Sequence, residues 1–188
     1  MGGRAFSLPL LMACKPWTLA LVGPSLLALA AGCTAPPAVR IAHSDFDALV
    51  GWVAMPPSLT SERAHSGRYC LKVDGGSEYS ISYSVPLADT GLRPGQRLGV
   101  RGWALRTGSQ RAAAVVVQVI DPARPAESVF WQAIPISKQV ITYDRWVPIK
   151  ETFTLPASLP GGCQLKVYLW RGSDTQPTYF DDLELLRD

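Results

Sequence analysis

The chain has 188 residues, 47% of them hydrophobic and 18% charged, with a formal charge of +3 at pH 7. Arg4 and Lys15 carry two of those charges, so residues 33–188 hold a formal +1 with no run of Lys or Arg. That balance excludes the concentrated basic face that nucleic-acid binding needs, and the length allows one domain with a substantial core rather than two.

The first 32 residues read as a leader. A positive flank (Arg4, Lys15) precedes an apolar stretch over 17–31, which Gly23-Pro24 interrupts and which is too short for a membrane span. Ala30-Ala31-Gly32-Cys33 closes it, followed at once by Thr34-Ala35-Pro36-Pro37. This ending resembles the lipobox of bacterial lipoproteins, with Ala30 where leucine is commoner. The resemblance implies cleavage before Cys33 and lipidation of its thiol. Three segments then follow: a signal peptide over 1–32, a lipidated cysteine and short linker over 33–40, and a folded domain over 41–188. Competing readings are plain secretion with Cys33 as an ordinary thiol, or an uncleaved anchor. Two or three acyl chains on one cysteine make anchoring effectively permanent, because each buried CH2 adds about 0.8 kcal/mol. Thr34 after the cysteine, where aspartate would signal retention, points by the same resemblance to the outer membrane of the cell envelope.

From residue 41 onward the pattern is period two, punctuated by Gly and Pro, with no stretch of helical periodicity. In chain order it predicts strands over 69–74, 79–85, 96–106, 112–120, 128–134, 146–155, 164–171 and 179–186. Turn signals separate them, among them Asp74-Gly75-Gly76-Ser77, Arg93-Pro94-Gly95 and Pro160-Gly161-Gly162. Eight or nine short strands at this spacing make an all-β, two-sheet antiparallel sandwich. Beyond Cys14 and Cys33 only Cys70 and Cys163 remain. Alternation sends them to different layers, which favours two thiols over a disulfide, and no Cys/His spacing suggests zinc.

The order of motifs is also similar to a known family. Asp45-Phe46-Asp47 with Gly51-Trp52, then 64–73 (AHSGRYCLKV), then 98–104 (LGVRGWA), then Asp144-Arg145-Trp146-Val147 leading to Phe153-Thr154-Leu155-Pro156, then 165–170 (LKVYLW) and 179–185 (YFDDLEL) resemble the galactose-binding-like jelly rolls that include many carbohydrate-binding modules. The likeness implies a jelly roll over about 43–187 and, less specifically, sugar binding, because this fold hosts many functions.

Sorting strands by face locates candidate ligand residues. In 164–171 the core side is Leu165, Val167 and Leu169, which leaves Lys166, Tyr168 and Trp170 facing outward. Val100, Gly102 and Ala104 point inward, leaving Arg101 and Trp103 outward; in 115–119 the outward residue is Gln118. If these strands share one sheet, their outer face joins aromatics to amide and cationic donors. A sugar packs its C–H face on an aromatic ring while its hydroxyls take hydrogen bonds from such donors. The competing reading has loops covering Trp103 and Trp170 as a second small core. Trp52 could line a rim or cap the core, Trp146 could plug one end, and one of Phe130 and Trp131 must face out.

Asp181 shares alternation with Tyr179, Leu183 and Leu185 and is expected to point inward, opposite to Asp182. A buried carboxylate needs partners. The family resemblance implies a structural calcium held by Asp47, where the family usually has glutamate, and by Asp181 or Asp182; the alternative is that backbone N–H groups, Ser66 or Arg68 satisfy Asp181. Catalysis has little support: His43 and His65 lie in no recognisable catalytic motif, and Glu62, Glu78, Glu127, Glu151 and Glu184 fall at strand ends or on polar faces. The expectation is therefore a membrane-anchored, non-catalytic lipoprotein that binds a glycan or polysaccharide. Its rival is a structural or assembly lipoprotein that holds an envelope protein through the same face or an exposed strand edge.

Overall fold

The computed structural model describes residues 38–51 and 54–187, so Cys33 and Trp52 lie outside the described residues. Ten strands follow in order: β1 Val39–Ser44, β2 Leu59–Thr60, β3 Cys70–Val73, β4 Tyr83–Pro86, β5 Arg97–Arg106, β6 Ala114–Ile120, β7 Ser128–Pro135, β8 Val147–Thr154, β9 Gln164–Trp170 and β10 Thr178–Arg187. A single helical turn, α1 (Ile136–Gln139), joins β7 to β8. Among the described residues no helix is long and apolar enough to cross a membrane.

The strands form two antiparallel sheets. The larger runs β2-β3-β10-β5-β8, and β1 also pairs with β10; the smaller runs β4-β9-β6-β7. β10 is long enough for β3 to pair with Thr178–Phe180 and β1 with the stretch from Leu183 to Arg187 along its length. Because side chains alternate, each strand sends every second residue between the sheets. Leu98, Val100, Ala104, Ile149 and Leu185 come from the larger sheet. Val115, Val117, Val119, Leu165, Val167 and Leu169 meet them from the smaller one. β6 is strongly β-branched, and β9 alternates Leu165, Val167 and Leu169 with polar and aromatic residues, which suits a half-buried pleated surface.

The irregularity that matters most for the site lies in β10. Asp182 has φ +51°, and the register of β10 on β5 shifts between Asp181 and Glu184. This bulge corrects the expected facing of β10: Phe180 enters the core with Leu183 and Leu185, while Tyr179 lies on the far side with Cys70 and Leu105. An extra residue at a bulge switches the face of everything beyond it. Cys70 and Cys163 are both buried free thiols, Cys163 within the main core and Cys70 in the outer cluster.

Candidate functional site

On the outer face of the smaller sheet, β9 supplies Lys166, Tyr168 and Trp170. Its β6 neighbours are Gln118 opposite Lys166, Val116 opposite Tyr168 and Ala114 opposite Trp170. Trp131 on β7 stands opposite Gln118, and Tyr79 forms an isolated bridge with Trp170. The small side chains of Ala114, Val116 and Ala133 leave room for the rings. Tyr79 meets Tyr168 edge-on at 5.9 Å between ring centroids, and Trp131 meets Trp170 at 6.1 Å and 81°. Tyr79 is 53% exposed and Trp131 44%, so this aromatic strip opens to solvent.

Polar groups beside the strip are held in place. The Tyr168 hydroxyl donates to Gln118 Oε1 at 3.3 Å, and Gln118 Nε2 donates to Ser128 Oγ at 2.6 Å. A hydrogen bond to Glu78 holds the Tyr79 phenol above its ordinary range, while the Trp170 N–H, directed at the same phenol, acts weakly in the opposite sense. That N–H reaches no hydrogen bond of full geometry and is buried.

Trp103 and Arg101 are elsewhere. Both lie on β5, on the outer face of the larger sheet, so the expectation that they share a face with Gln118, Lys166, Tyr168 and Trp170 is corrected. The alternation was read correctly; strand order, which sends β5 and β6 to different sheets, separates them. Trp103 is also covered. The His65 ring stacks on it at 3.9 Å and 14°, and meets Trp146 edge-on at 5.8 Å. Trp146 packs with Cys70, Leu105 and Tyr179, so it belongs to this second small core. Arg101 lies 3.6 Å from Glu184.

The sequence matches the family described as carbohydrate binding domain over residues 41–177. The chain belongs to that family. No curated protein matches the chain. Solved carbohydrate-binding modules have its fold. The CBM22-1 xylan-binding domain from Paenibacillus barcinonensis aligns with a TM-score of 0.52 at 16% identity, covering 82% of this chain and 97% of that one. The CBM22-2 xylan-binding domain of the same organism gives 0.51 at 16%, covering 79% and 99%. A further xylan-binding domain from family 22 gives 0.50 at 17%, covering 80% and 96%.

In this carbohydrate-binding domain the three aspartates expected to hold calcium grip the turn over 65–69. Asp47 accepts the N–H groups of Arg68 (2.9 Å) and Tyr69 (2.7 Å). Asp181, fully buried, accepts from the N–H groups of His65 (2.7 Å), Ser66 (3.2 Å) and Asp182 (2.8 Å). Asp182 takes the Ser66 hydroxyl and His65 Nδ1, each at 2.5 Å. The bulge is what lets neighbouring aspartates reach one turn, against the expectation that they point to opposite faces. Burial, outweighing these N–H donors, raises the pKa of Asp181. Every one of the three carboxyls already accepts N–H or O–H donors, and no cluster of three His, Cys, Asp or Glu side chains among the described residues converges on a metal-sized point. The arrangement fits a hydrogen-bonded clamp rather than a calcium cage, which needs six to eight oxygens.

Sequence reasoning left Trp131 undecided against Phe130 and passed over Tyr79. Phe130 packs against the core and against Phe153, which turns Trp131 outward; the alternation Val129-Phe130-Trp131 carried no sign of which ring the core would take. Tyr79 lies in a stretch expected as strand, where only the bridge to Trp170 forms ahead of β4.

Proposed function

We propose that this domain binds a polysaccharide, without catalysing its cleavage, on the outer face of the smaller sheet. The observation that carries the reading is the convergence of Tyr79, Trp131, Tyr168 and Trp170 from two strands and an adjoining segment onto one open strip. Rings standing in a row accept successive sugar C–H faces, and Gln118 and Lys166 supply hydrogen bonds to hydroxyls. Similarity to xylan-binding domains favours a β-linked chain such as xylan as the ligand. A glycan array with residues 36–188, followed by titration with xylo-oligosaccharides, tests it. Trp170→Ala and Trp131→Ala are expected to weaken binding at least about tenfold, and Trp103→Ala to leave it unchanged. Failure to retain any glycan, or retention indifferent to Trp131 and Trp170, rejects the proposal and returns the face to a protein partner.

We further propose that Cys33 is lipidated and holds the domain at the bacterial cell envelope, on the outer membrane. The lipobox-like Ala-Ala-Gly-Cys ending supports this. Fatty-acid labelling should mark the full chain, and Cys33→Ala should abolish both label and membrane retention. Unlabelled protein found wholly in the soluble fraction overturns it.

A further inference from the structure

The outer face of the larger sheet carries a groove of about 610 Å³ across β1, β10, β5 and β8. Its charges are arranged at some cost. Arg101 on β5 stands in register with Lys150 on β8, a like-charged pair directly opposite, which destabilises an antiparallel sheet. On its other side Arg101 faces Glu184, and that carboxylate is already shared with Arg40 at 3.1 Å. Lys150 makes no ion pair among the described residues. The remaining acid in the groove, Asp182, is taken up by His65 and Ser66. Glu151 turns its carboxylate back onto the Thr152 N–H at 3.2 Å and borders the hollow beside the groove rather than the groove itself. The Gln139 amide, meanwhile, donates to the Lys150 carbonyl at 3.1 Å and accepts its N–H at 3.0 Å, fixing the strand where the lysine stands.

Position adds a second observation. Ala38, the first described residue, borders an adjoining hollow together with Arg101 and Lys150. Four residues separate it from Cys33 along the chain, five chain steps with a reach of at most roughly 18 Å. We infer that Arg40, Arg101 and Lys150 form a membrane-docking surface that takes the phosphates of lipid headgroups, an inference that rests on the lipid-anchor reading for its biological setting. A short tether holds this face near the bilayer, and within the groove itself the cations Arg40, Arg101 and Lys150 outnumber the carboxylates Asp182 and Glu184, which matches an anionic surface. Since the two outer faces of a sandwich point in opposite directions, docking on one turns the aromatic strip on the other away from the membrane.

The test uses residues 36–188 without Cys33, so that it does not depend on the anchor; this span contains the entire two-sheet core. Co-sedimentation is measured with vesicles of phosphatidylcholine alone and with equimolar phosphatidylglycerol. Binding is expected only to the anionic vesicles and should weaken with added salt. Arg101→Gln and Lys150→Gln should each reduce the partition coefficient roughly fivefold, whereas Arg124→Gln, in the turn between β6 and β7, should leave it unchanged. No binding to anionic vesicles, or an equal loss with Arg124→Gln, overturns the inference. If the full chain takes fatty-acid label while residues 36–188 ignore anionic vesicles, the anchor stands and the docking surface falls. If residues 36–188 bind while the full chain takes no label, the surface stands without the anchor.

Discussion

The two outer faces of this sandwich receive large aromatics by the same alternation, yet the rings of one are roofed and those of the other stand open. On the larger sheet, His65 lies flat on Trp103 and the turn over 65–69 is fastened by Asp47, Asp181 and Asp182. On the smaller sheet Trp131 and Tyr79 reach solvent, and Tyr168 and Trp170 lean against them rather than under a loop. An outward tryptophan therefore has two fates, and what decides between them is whether a neighbouring loop carries groups that can be fastened down. A clamped roof makes a second core; a bare sheet makes a platform.

The largest effect expected is on the clamp. Asp181→Ala strips three backbone N–H groups of their acceptor and should cost about 3–5 kcal/mol, measured by urea unfolding, because each buried donor left unpaired costs about 1–3 kcal/mol. Asp181→Asn keeps an acceptor oxygen and should recover part of the loss. Equal stability of the alanine variant and the parent would show that the roof is not held from below. Trp103→Ala comes next at about 2–4 kcal/mol, near the range for buried aromatics.

Alkaline pH should separate the faces again. Burial pushes the Cys70 thiol up to about 12, and burial with the Glu62 hydrogen bond pushes the Tyr179 phenol up to about 12. Both folded-state values exceed the ordinary ones of 9.0 and 10.0, so the unfolded chain gives up these protons first. Stability should fall as pH rises from about 9 to 12. Tyr179→Phe should flatten the part of that slope above pH 10, at a cost near neutrality of about 1 kcal/mol for the lost Glu62 bond. A slope unchanged in that variant would assign the alkaline loss to other groups.

The open face predicts the reverse balance. Trp131→Ala should change stability by less than about 1 kcal/mol, as exposed substitutions usually do, while weakening polysaccharide binding; a loss of several kcal/mol would make it a core residue. Chelation should have the smallest effect. A calcium-linked clamp would lose about 2.7 kcal/mol when a hundredfold excess of ion over Kd is withdrawn, whereas a clamp made of N–H donors loses nothing. A melting temperature lowered by chelator, with the response abolished in Asp181→Asn, would restore calcium to the site.

Much of this was legible in the sequence. Period-two patterning located eight of the ten strands, because each carries a mostly apolar side facing the opposite sheet. The two missed, β1 and β2, are partly exposed or only two residues long. Family motifs gave the jelly roll. Placing Trp103 and Arg101 with Tyr168 and Trp170 was beyond local reading, since alternation tells which side of a strand a residue takes but not which sheet the strand joins. The bulge at Asp182 was equally invisible: a non-glycine residue in the left-handed region has no period-two signature, and it reversed the facing of Tyr179 and Asp181 relative to Leu183.

Gln118 gives the open face a polarity of its own. With its oxygen accepting from the Tyr168 hydroxyl and one N–H given to Ser128, its amide is held at both ends. One N–H and one oxygen lone pair of the planar amide remain beyond these two bonds. Neighbouring equatorial hydroxyls on a pyranose ring present that complement, one accepting as the next donates, whereas an axial hydroxyl would lift its oxygen out of the plane. On the proposed polysaccharide face the amide would act as a stereochemical gauge beside the rings: stacking is indifferent to which sugar passes over it, and Gln118 would be the group that reads the orientation of a diol.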